Sequence, residues 1–261
     1  QPSIVEFKPG AGTLPGTDLV AKAPPDGYTL GILAIGVLGI QPVLRKDMPF
    51  DTLRDLSGTM LVVGNMLMTT SAKAPFSTLP ELIAYGKANK GKLSYATAGA
   101  GSSMHLAGEQ LNLLTGIEMQ HIPYKGAGGA YPDVIEGRVD LLIDPLFSSL
   151  PHVASGRLKP IAVMGLKRDP ATPDIPAAGE MFADFDFSSN LGIGLPRATP
   201  PEIIARINAD VNRAIRAEAL APRLKEMGLT VTGSTPEQFD AHMRRSLKTF
   251  ADIVAKARIT L

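Results

Sequence analysis

Short apolar runs alternate with segments of helical period along most of the 261 residues, and this alternation constrains the fold more than any other feature. Strands that alternate with helices are typical of proteins built around a largely parallel sheet. The sequence therefore predicts an α/β protein. The apolar runs predict strands at 4–7, 28–33, 61–68, 93–96, 119–122, 139–143, 160–164 and 191–195.

Three helix starts carry a capping box, in which a hydroxyl and an acid or amide three residues later satisfy free backbone amides reciprocally. The segments after the second and third boxes have apolar residues at helical spacing, which predicts two long helices that each pack one face on a sheet. The three boxes are Thr78 with Glu81, Thr199 with Glu202, and Thr235 with Gln238.

Composition excludes several classes of function. The 26 basic and 25 acidic residues leave a formal net charge of +1, which argues against a nucleic-acid partner because such a protein needs a clustered basic surplus. The chain has no cysteine, so disulfides and thiolate sites are excluded. The longest apolar stretch, 28–44, is interrupted by three glycines and a proline and is too short and broken to cross a membrane.

The segment 95–106 is the strongest candidate for a binding site. A predicted strand ends at 96, small residues follow, and a predicted helix begins near Ser102 and Ser103. Small residues let backbone amides approach a ligand, and a helix start offers free donors and a partial positive charge. These features suit a carboxylate or a phosphate. A serine-capped helix after a tight turn is the alternative interpretation.

Other motifs carry less chemistry. Gly10, Gly12 and Gly16 have the wrong spacing for a dinucleotide-binding loop, so we interpret them as a plain turn. His121 and His152 have no second ligand at metal spacing, and neither a metal site nor a cofactor is predicted.

Ser102, His105 and Asp144 contain the residue types of a hydrolase triad. Ser102 lacks the glycine spacing of a nucleophile elbow, and His105 is equally placed to pair with Glu109 one helical turn later. Asp144 ends an apolar strand, where open α/β sheets bind ligands, although capping of the next segment is an equally good role. The sequence predicts no enzyme.

Motifs distributed along the whole chain resemble one known family, the Bug solute-binding proteins. These proteins are the extracytoplasmic receptors of tripartite tricarboxylate transporters. The matching segments are Pro-Gly-Ala-Gly at 9–12, Pro-Asp-Gly-Tyr-Thr-Leu at 25–30, and the segments 91–95, 99–109, 123–126, 137–140, 156–159, 173–176 and 196–200.

The resemblance implies a two-lobed, periplasmic-binding-protein-like (type II) fold with the ligand cleft between the lobes. One lobe would comprise 1–68 and 191–261, and the other 69–190. The implied ligand is a small organic acid, the implied partners are the membrane components of the transporter, and the implied location is the periplasm. Carried over by position, the residues at the ligand are Thr97, Ala98, Gly99, Gly101, Ser102 and Ser103, with His105 and Asp144 as supports.

The sequence departs from the family pattern in two places. Family members begin with a strand, a ligand-binding loop rich in proline and glycine, and a helix, and this sequence opens after them. The run 31–38 is almost wholly apolar where the family has small polar residues, so we expect Ile35 and Val37 to contact an apolar part of the ligand.

These departures leave three hypotheses. In the first, which we favour, the chain is a receptor that still binds an organic acid. In the second, it is a truncated family member that binds no solute and acts as a homo-oligomer, or through a protein partner, at the sheet edge that the missing segment exposes. In the third, it is an enzyme on a receptor-like fold.

Overall fold

The computed structural model describes residues 3–183 and 185–257, which form an α/β fold with two lobes. The strands are β1 (Gly31–Ala34), β2 (Leu56–Ser71), β3 (Ser94–Thr97), β4 (Gln120–Pro123), β5 (Leu141–Pro145), β6 (Leu158–Val163), β7 (Ser188–Pro196) and β8 (Leu229–Val231). The helices are α1 (Leu14–Ala21), α2 (Gln41–Leu44), α3 (Thr52–Asp55), α4 (Leu79–Ala88), α5 (Ser103–Thr115), α6 (Tyr131–Ile135), α7 (Leu146–Ala154), α8 (Pro201–Ile215), α9 (Ala221–Glu226) and α10 (Pro236–Ala257).

Strand β2 joins the two lobes, because it is 16 residues long and takes part in both sheets. Up to Asn65 it pairs with β7 and β8, which with β1 form the first lobe's sheet. From Met66 onward it pairs with β5 and β6 in the second lobe's sheet. In that sheet β3 runs parallel to β4 and β5, so the carboxyl ends of β3 and β5 meet at one edge.

Each lobe has its own apolar core. Leu33, Val37 and Phe239 are buried together in the first lobe. In the second lobe, α5 lies directly on β3, since a Cβ built on Gly108 would lie only 2.5 Å from Cζ of Tyr95. This close packing fixes the start of α5 relative to the end of β3.

Seven of the eight predicted strands overlap observed ones, and the strand predicted at 4–7 is wrong. Ile4, Val5 and Phe7 are exposed and pair with no strand in the described part of the chain. Strand β8 was not predicted, because its three residues give too short a run to stand out. Among the described residues, no helix is both long enough and apolar enough to cross a bilayer.

Two of the three predicted caps form, and the one at Thr199 is wrong. Thr235 is confirmed in full, with reciprocal bonds of 3.2 and 2.9 Å to Gln238. Thr78 accepts from the amide of Glu81 at 3.3 Å. Helix α8 instead begins at Pro201, because a residue before proline is pushed out of the helical region, and Pro200 is extended there with ψ of 137°. The Thr199 hydroxyl is left buried without a partner among the described residues.

Candidate functional site

The segment 97–103, which we call the anion loop, connects the carboxyl end of β3 to the start of α5. Gly99 and Gly101 have φ of 139° and 73°, in the left-handed region that favours glycine. The loop therefore folds back at both glycines and delivers the chain to the N-terminus of a 13-residue helix.

The two serines of this loop have different roles. Ser102 is the N-cap: its hydroxyl donates to the carbonyl of Gly99 at 2.7 Å and accepts from the amide of His105 at 3.2 Å. The side chain of Ser102 is thereby committed to shaping the loop. Within the described residues, neither the hydroxyl nor the amide of Ser103 forms a hydrogen bond, so Ser103 offers two free donors at this helix start.

His105 supports the loop from beneath. Its Nδ1 accepts from the amide of Gly101 at 3.2 Å, which places the ring proton on Nε2, 4.0 Å from a carboxylate oxygen of Glu109. Burial lowers the pKa of His105 despite this carboxylate, so the ring is neutral. A neutral ring is required here, since a protonated Nδ1 would oppose the Gly101 amide.

A second histidine stacks on the first, with ring centroids 4.0 Å apart. Nε2 of His121 lies 2.7 Å from the hydroxyl of Thr97, which also accepts from the amide of Gly99 at 3.2 Å. Burial and the neighbouring His105 lower the pKa of His121 to about 3. In the sequence His121 was considered only as a metal ligand, so its contact with Thr97 was not predicted. No group of three metal-ligating side chains is found in the described part of the chain.

Asp144 lies beside the loop on β5. Continuing the parallel register of Ala96 with Leu142 by two residues places Asp144 next to Ala98. Its Oδ2 accepts from the hydroxyl of Tyr131 at 2.7 Å, and burial raises its pKa to about 7. The carboxyl is only 4% exposed and therefore holds a proton over much of the acidic range.

The structure brings the predicted site residues together but does not connect Ser102, His105 and Asp144 as a triad. The hydroxyl of Ser102 donates to a carbonyl rather than to an imidazole. Asp144 bonds to Tyr131, and the Nδ1 of His105 is used by Gly101.

The first lobe meets the anion loop with glycine backbone. A Cβ built on Gly12 would lie 3.5 Å from the carbonyl oxygen of Ala100, and one built on Gly99 would lie 3.3 Å from the amide nitrogen of Gly12. A Cβ built on Gly36 would lie 3.3 Å from the amide nitrogen of Ser103. At Gly36 and Gly99 a Cβ alone would already be tighter than ordinary contact, so a larger side chain at either position would push the lobes apart.

The apolar contact expected from Ile35 and Val37 is not available to a ligand. Both side chains are buried in the first lobe's core with Leu33 and Leu38. Gln41 was not predicted as a site residue. Its side chain is buried against the Ala11–Thr13 turn. An isolated carboxamide in the apolar run 28–44 was the signal that could have identified it.

Comparison with known proteins shows which family this fold belongs to. Residues 1–258 match the family described as the tripartite tricarboxylate transporter family receptor. The solved periplasmic binding protein BugD is 30% identical, with a TM-score of 0.93 over 98% of this chain and 87% of BugD. Rpa4515 of R. palustris with adipate is 28% identical, with a TM-score of 0.90 over 95% of this chain and 83% of that one.

A third solved structure is MatC of Rhodopseudomonas palustris with bound malate. It is 28% identical, with a TM-score of 0.85 over 94% of this chain and 85% of MatC. The family match spans nearly the whole chain, and three solved structures share its fold. This chain belongs to the receptor family of the tripartite tricarboxylate transporters.

Proposed function

We propose that this chain is an extracytoplasmic receptor that captures a small organic acid in the periplasm for the membrane components of a tripartite tricarboxylate transporter. The observation that carries the proposal is the start of α5, where Ser103 offers an amide and a hydroxyl that have no partner among the described residues. The relatives with bound adipate and malate support a carboxylate ligand.

The start of α5 suits a carboxylate on electrostatic grounds. A helix N-terminus carries a partial positive charge, and its first amides lack partners within the helix. We assign the direct contacts to the anion loop, in which Ser103 donates while Ser102 and the glycines set the shape. His105 and Asp144 support the loop from below and from the side. The proposed ligand residues are Thr97, Ala98, Gly99, Gly101, Ser102 and Ser103.

Binding by closure of the two lobes follows from how the chain crosses between them. We propose lobes of 1–68 with 191–261 and of 69–190, and the strand pairing supports bounds close to these. Pairing of β2 changes from one sheet to the other between Asn65 and Met66, and β7 enters the first sheet at Ser188. Rotation about two such crossings would exclude water from an enclosed acid.

A thermal-shift screen tests the proposal. The panel contains mono-, di- and tricarboxylates, acidic amino acids and aromatic acids. A ligand at one hundred times its Kd stabilises the folded state by about 2.7 kcal/mol, which gives a clear rise in Tm. We expect at least one acid to raise the Tm of the wild type and to lose about half of that stabilisation in Ser103→Ala, because a tenfold rise in Kd leaves the ligand at about ten times the Kd of the variant. A folded protein that responds to none of the acids would contradict the proposal.

One observation favours the alternative, in which the chain acts through contact with another chain. Within the residues that the structure describes, strand β1 pairs only with β7, and Ile32 on it is exposed. An exposed strand edge with apolar side chains is a template for pairing with a second chain. Light scattering at micromolar concentration distinguishes the two functions, since a strict monomer that binds an acid excludes oligomerisation as the mode of action.

A further inference from the structure

The turn of the first lobe that faces the anion loop is strained. Ala11, Gly12 and Thr13 have φ of 44°, 60° and 74°, three consecutive residues in the left-handed region. Residues other than glycine rarely adopt this conformation, and it persists only where the surroundings enforce it. The sequence analysis interpreted this segment as a plain turn.

Gln41, at the start of α2, holds this turn in place. Its Nε2 donates to the carbonyl oxygens of Ala11 at 2.7 Å and of Gly12 at 3.4 Å. These two acceptors fix the orientation of the carboxamide, because the flipped amide would set its oxygen against two carbonyl oxygens. A single side chain thus stabilises the strained turn from 30 residues away.

The oxygen of the same carboxamide has no partner among the residues that the structure describes. Oε1 of Gln41 is buried, in a side chain that is 1% exposed, and accepts no hydrogen bond from the described residues. Leaving a buried acceptor unpaired is costly, so such a group implies a donor that the described residues do not supply, such as a bound ligand.

The position of this carboxamide indicates where that donor comes from. The Cβ position of Gly12 lies 2.6 Å from Nε2 of Gln41 and 3.5 Å from the carbonyl oxygen of Ala100, which belongs to the anion loop. The carboxamide therefore lies at the junction of the two lobes, beside the proposed carboxylate site.

We infer that Gln41 is a ligand-recognition residue whose Oε1 accepts a hydrogen bond from a hydroxyl or ammonium group of the bound acid. The inference rests on the proposed function and narrows its ligand class to hydroxy- or amino-substituted carboxylates. Through Nε2 the side chain holds the first lobe's turn, and through Oε1 it selects the ligand. Neither role is carried by the anion loop.

Calorimetry with two matched pairs of acids tests this inference. The pairs are succinate with malate and adipate with 2-aminoadipate, which differ in one donor group at two chain lengths. A neutral hydrogen bond corresponds to about a tenfold difference in Kd, so we expect the wild type to prefer the donor-bearing acid of at least one pair about tenfold. In Gln41→Met we expect that preference to fall to about twofold or less.

Two further variants separate recognition from support of the turn. Gln110→Met is the matched control, because Oε1 of Gln110 is also buried without a partner among the described residues but lies on α5 seven residues after Ser103, about two helical turns from the anion loop. It should keep the preference of the wild type. Gln41→Glu retains an oxygen in place of Oε1 and loses the amide donor, so it should weaken all four acids and keep the preference.

Each outcome bears on one proposal or on both. Binding of the plain and the donor-bearing acids with equal Kd would overturn the inference about Gln41 and leave the receptor function standing. A tenfold preference that survives in Gln41→Met would overturn it as well. A folded wild type that binds none of the four acids would overturn the inference and count against the proposed function.

Discussion

The anion loop and the turn Ala11–Thr13, which meet at the junction of the two lobes, are stabilised in different ways. In the anion loop most side-chain bonds are local: Ser102 bonds to Gly99 three residues before it, and His105 to Gly101 four residues before it. The exception is the contact of Thr97 with His121. The turn Ala11–Thr13 is held by Gln41, 30 residues later in the chain. A locally satisfied motif can be recognised in sequence, whereas a turn held from a distance looks like any other glycine-rich segment.

The largest expected effect concerns Asp144, beside the anion loop. Burial raises the pKa of this carboxyl in the folded protein to about 7, above its ordinary value of 3.8. Between these values the unfolded chain loses the proton that the folded chain keeps, so this carboxyl lowers stability as pH rises, by about 1.4 kcal/mol per pH unit. Below pH 4 the penalty is absent, and above pH 7 it is complete.

Asp144→Asn removes this titration and isolates the effect of the carboxyl. We expect the free energy of unfolding of the wild type, relative to the variant, to rise as pH falls from 7 to 4. Urea denaturation of both proteins across this range measures the difference and cancels the opposing contribution of the buried histidines. A difference independent of pH would show that Asp144 is ionised in the folded protein.

The second-largest expected effect tests the close approach of the first lobe to the anion loop at Gly36. Gly36→Val places a side chain where a Cβ would already lie 3.3 Å from the amide of Ser103. We expect the lobes to be held apart and the Kd for the bound acid to rise about a hundredfold, corresponding to about 2.7 kcal/mol. Gly128→Val is the control, because a Cβ there meets nothing within 4 Å. Equal affinity in the two variants would contradict the proposed approach.

The smallest effect separates the two serines of the anion loop. Ser102→Ala removes an N-cap and should lower the free energy of unfolding by about 1 kcal/mol. Ser103→Ala removes a hydroxyl with no partner in the described structure, so stability should hardly change, while the Kd for the acid rises by about tenfold. In both variants, thermal unfolding measures the change in stability and calorimetry measures the change in Kd. A Ser103→Ala protein with the affinity of the wild type would remove this hydroxyl from the proposed site.

Local sequence patterns predicted most of the strands and one complete cap. The box at Thr235 depends on residues three apart and is confirmed in both directions. The box at Thr199 fails because two prolines follow it and move the helix start by a residue. The apolar residues at 4–7 have strand propensity, but pairing requires a partner strand, and the described structure provides none there.

The sequence by itself determined the α/β class, the small-residue loop before α5 and, through its motifs, the family. Each depends on residues close together in the chain, where spacing alone sets which groups can bond. Only the tertiary structure decided that Gln41 reaches the Ala11–Thr13 turn, that Gly36 lies on the amide of Ser103, and that Asp144 bonds to Tyr131. These contacts depend on how the two sheets that share β2 pack together. The same packing buries Asp144, which raises its pKa, and buries the oxygen of Gln41 without a partner among the described residues.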